Sequence, residues 1–310
     1  MRLNILVLIV THNPKIEIIL HNIYCLRITS SDIKILIIDN NSDIPIDLID
    51  SIDFFLKFRK NTGLAYAYNI GLEIARTLGI KWLLILDQDS KLHGKIDFDK
   101  IFQNYNNLLI KDHVAIISLN KMFCYTTDQR IGNFIVCKSA VNSGSILNVD
   151  ICHKIPYNTK LFLDRIDNEY CYRLRRNGYF VLAYNEQLLT HTIGDKILPY
   201  RKLLSRSVLF LFKLRRIRYG IKSFIASSRN NDVYVYYNNY LRYYFIIRNT
   251  IYLILRRMID SFYASTLITW SLSLYERTNI IIFIKFMILA ILHGIIGDLE
   301  KDNKKLTRYL

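Results

Sequence analysis

The chain has no cysteine pair at metal-ligand spacing. Its five cysteines, Cys25, Cys124, Cys137, Cys152 and Cys171, are odd in number and scattered. They suggest neither a disulfide framework nor a thiolate zinc site, and a reducing, cytosolic compartment is expected. No GxGxxG or Walker loop occurs, which removes the simplest dinucleotide and P-loop readings. Internal repeats and low-complexity tracts are also missing. The longest apolar run, IIIFIKFMILAILHGII at 280–296, carries Lys285 and His293 and falls about a turn short of the roughly 20 residues that cross a bilayer. It is expected to lie in a membrane interface or to pack internally. MRLNILVLIV, the first ten residues, lacks a small-residue cleavage site and runs into Pro14 and a new periodic segment, so a first core strand is expected there.

Acidic residues are scarce in one region only. Residues 1–195 hold 22 Lys and Arg against 20 Asp and Glu, whereas residues 196–310 hold 20 against 6, so nearly all of the net +16 lies in the last third. That third is also apolar and aromatic, as in VYVYYNNYLRYYFIIRNTIYLILRRMI at 233–259. Charge combined with apolar surface points to an anionic membrane surface, because lipid contact uses both. Nucleic acid needs the charge alone, and the near-neutral first 195 residues argue against it as a partner.

What is present begins with core material. At 310 residues and 51% hydrophobic, the chain can bury one large domain, or one domain with an appendage. Short apolar runs alternate with helical periodicity, the signature of βαβ units on a mostly parallel sheet. Strands are expected at 5–10, 34–39, 53–58 and 81–87, with helices at 15–27 and 61–79. Further along, 115–118, 134–137 and 179–184 read as strands, 141–147 as a glycine-bearing loop and strand, and 166–178 as a helix ending at Gly178. Helical patterns dominate from Pro199 onward. A boundary is expected near 195–200, dividing 1–198 from a helical, basic 199–310.

In a doubly wound sheet, ligands bind beyond the carboxyl ends of the strands, so polar residues just after apolar runs are the ones to inspect. THNP (11–14), DNNS (39–42), RKNTG (59–63) and DQDS (87–90) are such places. Alternate residues of an extended segment point the same way, so Asp87 and Asp89 can aim both carboxylates at one position. Carboxylates of that kind, completed by phosphates and water, hold Mg²⁺ or Mn²⁺ against a nucleotide; the bland reading is a capped, solvated turn. Ser90-Lys91 does not fit a haloacid dehalogenase phosphatase, and Lys91 and Leu92 occupy the positions where a calcium loop needs an oxygen ligand and glycine. A second acidic cluster, Asp164, Asp167 and Glu169, lies in LFLDRIDNEYCYRLRRNG. Asp167 there can serve as a general base or as a helix cap.

Taken together, LIVTHNP, IIDNNS, NTGLAYAYNIGL, LLILDQDS, VNSGSIL, LFLDRIDNEYCYRLRRNGY, HTIGD and RYYFIIRNTIYL resemble the family 2 glycosyltransferases of the GT-A fold. The resemblance is narrowest to the bacterial rhamnosyltransferase branch and runs in consistent order over roughly residues 3–255. It implies an α/β, Rossmann-like, mostly parallel sheet flanked by helices. Thr11, Asn13 and Asp39 would contact the nucleoside, with Asn41 and Ser42 beside them, and Asn61, Gly63 and Asn69 would line the nucleotide pocket. Asp87 falls to the ribose side and Asp89 to the metal, Mg²⁺ or Mn²⁺, with His191 completing the metal or diphosphate site. Asp167 matches the general base, and Glu169 the acid that orients the acceptor. Many members place Glu before the catalytic Asp; Ile166 stands there in this chain, as a valine-like residue does in the rhamnosyltransferase branch.

The resemblance thus implies a metal-dependent, inverting transferase at 1–198, cytoplasmic and peripheral on the inner face of the membrane. Its donor would be a nucleotide sugar, dTDP-rhamnose or alternatively a UDP-hexose or galactofuranose donor, and its acceptor a lipid-linked glycan. A non-catalytic basic membrane protein is the reading from another class.

Overall fold

The structure, a computed structural model, describes residues 4–43, 51–191, 194, 196–214 and 233–306. It contains two compact units: residues 1–162 with 166–191, and residues 163–165 with 192–310.

The first unit opens with β1 (Ile5–Thr11), α1 (Ile16–Thr29), β2 (Lys34–Asp39), β3 (Phe54–Lys57), α2 (Leu64–Thr77), β4 (Trp82–Asp87), β5 (Ser90–Leu92) and α3 (Phe98–Asn106). It continues through β6 (Val114–Ser118), β7 (Tyr125–Ile131), β8 (Phe134–Ser139), β9 (Ser145–Asn148), α4 (Val149–Cys152), α5 (Ile166–Arg176), β10 (Phe180–Tyr184) and β11 (Leu189–His191). Nine strands form one sheet in the order β3-β2-β1-β4-β9-β6-β10-β8-β7. Most run the same way; β8 and β9 are antiparallel to their neighbours. The unit is therefore a mixed α/β fold with a large, mostly parallel central sheet and flanking helices.

Both faces of that sheet are covered, which is why its strands read as unbroken apolar runs. From β1, Ile5, Val7 and Ile9 join Ile19, Ile23 and Leu26 of α1 and Phe98, Ile101 and Phe102 of α3 in one core cluster. Leu8 points to the other face and meets α2 at Gly71, where a Cβ would come within 2.4 Å of the Leu8 Cδ2. Glycine there lets the helix lie close on the sheet.

The main strands and helices fall within a few residues of their expected places. Helix α2 starts at Leu64 rather than Asn61, because Gly63 takes φ +82° and a Cβ on it would lie 2.7 Å from the Phe162 carbonyl oxygen. The chain must leave helical geometry to approach that backbone so closely. The short β5–β11 ribbon and helix α3 lie outside the expected elements.

In the second unit, β12 (Lys196–Pro199) pairs antiparallel with β13 (Val233–Tyr236), a strand within the region expected to be helical; α6 (Leu203–Leu214) lies between them in the chain. Helices α7 (Leu241–Leu255), α8 (Ala264–Arg277), α9 (Ile280–Ile296) and α10 (Leu299–Leu306) follow. Buried on nearly every side, α7 packs against both α8 and α9. Residues Asp164 and Arg165 adopt left-handed φ values of 63° and 66°, a strained conformation for side-chain-bearing residues. Bonds hold them there: Asp164 pairs with Arg242 at 2.7 Å, the Asn249 amide donates to the Leu163 and Asp164 carbonyls, and Arg165 donates to Thr250 and Thr266. Asp164 thus has a structural partner.

Candidate active site

Parallel pairing sets the site. Thr11 of β1 lies opposite Asp39 of β2, and Val10 opposite Asp87 of β4, so THNP, DNNS and DQDS leave the sheet at one edge. Their polar side chains first tie the loops to one another. Asp39 is fully buried; it accepts from the Thr11 hydroxyl at 3.2 Å and from the Ser42 backbone and hydroxyl, with Lys57 Nζ at 3.6 Å. Asn13, at φ 50°, donates its N–H to Ser42 Oγ at 2.8 Å and exchanges side-chain bonds with Asp43. Gln88 turns away from its two neighbours and bonds both the N–H and the carbonyl of His12. Asn40 Oδ1 accepts from Thr62 at 2.8 Å, which brings in the NTG loop, and within that loop Asn61 Oδ1 accepts the Gly63 N–H at 3.0 Å. Asn41 is half-buried at φ 68°.

Strand β4 ends at Asp87, and Gln88 and Asp89 form a turn. Simple strand alternation therefore does not aim the two carboxylates; the turn and the following ribbon do. In that ribbon His191 sits opposite Ser90 in register. One ligand atom each from Asp87, Asp89 and His191 then lies within 4.8 Å of the others. Asp89 is about half exposed, and its Oδ1 is 3.5 Å from His191 Nδ1. Two carboxylates and an imidazole are a donor set that fits a divalent cation such as Mn²⁺.

A hydroxyl chain supports this trio from below. The Asp87 backbone N–H donates to Ser143 Oγ at 3.0 Å, the Ser143 hydroxyl donates to Ser90 Oγ at 2.6 Å, and Ser90 Oγ is 2.8 Å from His191 Nδ1. Ser90 Oγ thus links the Ser143 hydroxyl to the His191 ring. The Tyr68 hydroxyl donates to Asp87 Oδ1 at 3.0 Å. Tyr68, Ser90 and Ser143 lie within motifs of the resemblance, but their roles emerge only at the assembled sheet edge.

Asp167 lies in the first turn of α5, half-buried, with its Oδ1 accepting the Asn168 N–H at 2.8 Å. The hydroxyls of Tyr68 and Tyr157 are both pushed well above their ordinary range. Burial is the main cause, and the negative charges of Asp87 and Asp167 add to it at both rings. The two rings lie with centroids 5.2 Å apart.

Two predicted site residues face elsewhere. Glu169 is fully buried in an ion pair with Arg173, whose Nη2 also bonds the Pro156 carbonyl. Burial raises its carboxyl, and the Arg173 bond partly offsets that. The Asn69 amide is engaged on both sides by Tyr157, donating to its carbonyl at 2.9 Å and accepting its N–H at 2.8 Å. Thr192, Ile193 and Asp195 of HTIGD lie outside the described residues. A polar cavity of about 390 Å³, lined by Lys81, Asp112, His113, Asn148 and Lys154 among others, adjoins the start of β4, at the opposite strand end from Asp87.

Residues 6–107 match the family model "Glycosyl transferase family 2". The dTDP-rhamnosyl transferase RfbF of Shigella flexneri is 24% identical over 214 residues, covering 63% of this chain and 71% of that protein. Among solved structures, the mannosyltransferase PcManGT from Pyrobaculum calidifontis, in complex with GDP-Man and Mn²⁺, aligns over 94% of this chain and 74% of its own, at TM-score 0.51 and 10% identity. S. aureus TarS 1–349 aligns at TM-score 0.45 and 14% identity over 61% of this chain, which spans 60% of that fragment. The fold is GT-A and the chain is a glycosyltransferase. Residues 6–107 are similar to the family 2 glycosyltransferases, and the curated likeness is to a rhamnosyltransferase.

Proposed function

We propose that the chain is an inverting, metal-dependent transferase that moves rhamnose from dTDP-rhamnose to a lipid-linked or cell-surface glycan on the inner face of the cell membrane. The observation that carries this reading is the trio of Asp87, Asp89 and His191, one ligand atom of each within 4.8 Å of the others, at the sheet edge where β1 and β2 also end in polar loops. It supports a site for a cation-bound diphosphate, with Asp167 as the base that the family resemblance implies. The donor sugar follows the similarity to the Shigella flexneri protein.

In this reading Asp87, Asp89 and His191 hold the cation, Mg²⁺ or Mn²⁺. A divalent cation, when bound, supplies positive charge against the charge that develops on the leaving diphosphate. Tyr68 fixes one oxygen of Asp87, and Ser143 and Ser90 hold the Asp87 backbone and the His191 ring. Asp167 takes the proton of the acceptor hydroxyl as its oxygen bonds the anomeric carbon and the bond to diphosphate breaks, so a single displacement inverts that centre. Glu169 acts as a positioning residue through Arg173 and the first turns of α5. Asp39, Thr11, Asn13, Asn41, Asn61 and Gly63 shape the nucleoside pocket, and Asn69 braces the Tyr157 backbone.

The test is donor hydrolysis by the purified full chain across dTDP-rhamnose, UDP-glucose, UDP-galactofuranose and GDP-mannose, with and without a chelator. The expected outcome is turnover of dTDP-rhamnose that stops on chelation and returns with Mn²⁺ or Mg²⁺. Preference for another sugar would overturn the donor assignment, and turnover unaffected by chelation would overturn the metal assignment.

A further inference from the structure

Helix α9 buries little of itself. Only Ala290 and Gly294 are buried, and at Gly294 the helix sits so close to α7 that a Cβ would meet Ile251 at 2.9 Å. On its outer side Ile281, Ile284, Ile288, Leu292, Ile295 and Ile296 are 47–75% exposed. Their spacing of three and four residues makes one continuous stripe. An outward helix face in water carries charge, and one that stays apolar marks an interaction surface.

The surroundings of the stripe decide its partner. Lys285, Arg256 and Arg257 are exposed, and Arg256 Nη2 reaches the Ile295 carbonyl at 3.4 Å, placing a guanidinium at the carboxyl end of the helix. Tyr240, partly exposed, meets Phe286 edge-on at 5.2 Å. Basic and tyrosine side chains around an apolar stripe match the headgroup level of a bilayer. A second copy would bring like charges together, given 20 basic against 6 acidic residues in 196–310. At 17 residues the helix is about 25 Å long, and among the described residues no helix is long and apolar enough to cross a membrane.

We infer that the outer face of α9 lies flat in the headgroup–acyl boundary of an anionic bilayer. This deepens the membrane part of the proposed function, and its test does not depend on sugar transfer. Full-length protein is floated with phosphatidylcholine vesicles, with and without phosphatidylglycerol, and compared with Ile281→Ser/Ile288→Ser/Ile295→Ser and with Lys285→Ala/Arg257→Ala.

Wild type is expected to float with the anionic vesicles. The serine variant should lose about tenfold or more of its partitioning, from the apolar contact removed. The charge variant should lose binding to anionic vesicles in a salt-dependent way. Both variants should keep the wild-type melting midpoint and donor hydrolysis, because the altered side chains are exposed. Flotation independent of phosphatidylglycerol, a serine variant that floats like wild type, or a wild-type dimer that the serine variant dissolves would overturn the inference. Lost flotation with donor hydrolysis intact would sink only this inference, whereas intact flotation without metal-dependent hydrolysis would sink only the transferase reading.

Discussion

Ser143 illustrates what single residues do beneath the carboxylates. Its oxygen accepts the Asp87 N–H and its proton goes to Ser90, which faces His191. Ser143→Ala leaves the half-buried Asp87 amide and the buried Ser90 hydroxyl short of a partner, at a cost of about 1–3 kcal/mol. It should also weaken Mn²⁺ binding about tenfold, as loss of outer-shell support does elsewhere; calorimetric Mn²⁺ titration beside a thermal melt checks both effects. Asp87 and Asp89 are legible in the sequence because a strand ending in acids is unusual. The part Ser143 plays is not legible, although VNSGSIL stands out, because it reaches Asp87 only across the β4–β9 pairing.

Glu169 shows a different limit at this scale. The sequence places it two residues from Asp167, but the helical turn sends it inward to Arg173. Removing the partner of a buried charge is costly, and Arg173→Ala should destabilise the fold by about 3 kcal/mol. Because burial raises the Glu169 carboxyl, the stability tied to it is full below its unfolded value and is lost as pH rises through the raised, folded one. Without Arg173 that rise is larger, so the deficit of Arg173→Ala should grow as pH rises above the ordinary carboxylate range. Melting midpoints that stay parallel to wild type as pH rises would contradict this.

At the scale of elements, the sequence revealed β1, β2, β4, α1, α2 and α5, because long apolar runs covered on both faces and amphipathic helices each have a clear period. The β5–β11 ribbon has three residues per strand, too few for any period to register, yet it carries His191 to Asp89. Helix α2 contributes more than packing. Through Asn69 it clamps the Tyr157 backbone on both sides, and Tyr157 stacks on Tyr170 of α5 at 3.8 Å. Asn69→Ala should cost about 2 kcal/mol in stability. Faster amide exchange of the Tyr157 N–H by mass spectrometry, with α1 unchanged, is the expected signature.

At the scale of the whole molecule, the chain separates chemistry from charge. The near-neutral first unit holds the acidic trio and Asp167, while 196–310 carries the basic excess and the exposed stripe of α9. Composition alone reveals that separation, but it cannot say which face of 280–296 is open; packing of Gly294 on α7 decides it.

The central claim is that Asp167 and the Asp87, Asp89 and His191 group work on one sugar. Its most direct test is the rate of sugar transfer by Asp167→Asn, measured beside Mn²⁺ and nucleotide affinity. We expect transfer to fall about 10²–10⁴-fold, the usual worth of a positioned base, with both affinities unchanged. Transfer at the wild-type rate would contradict the account.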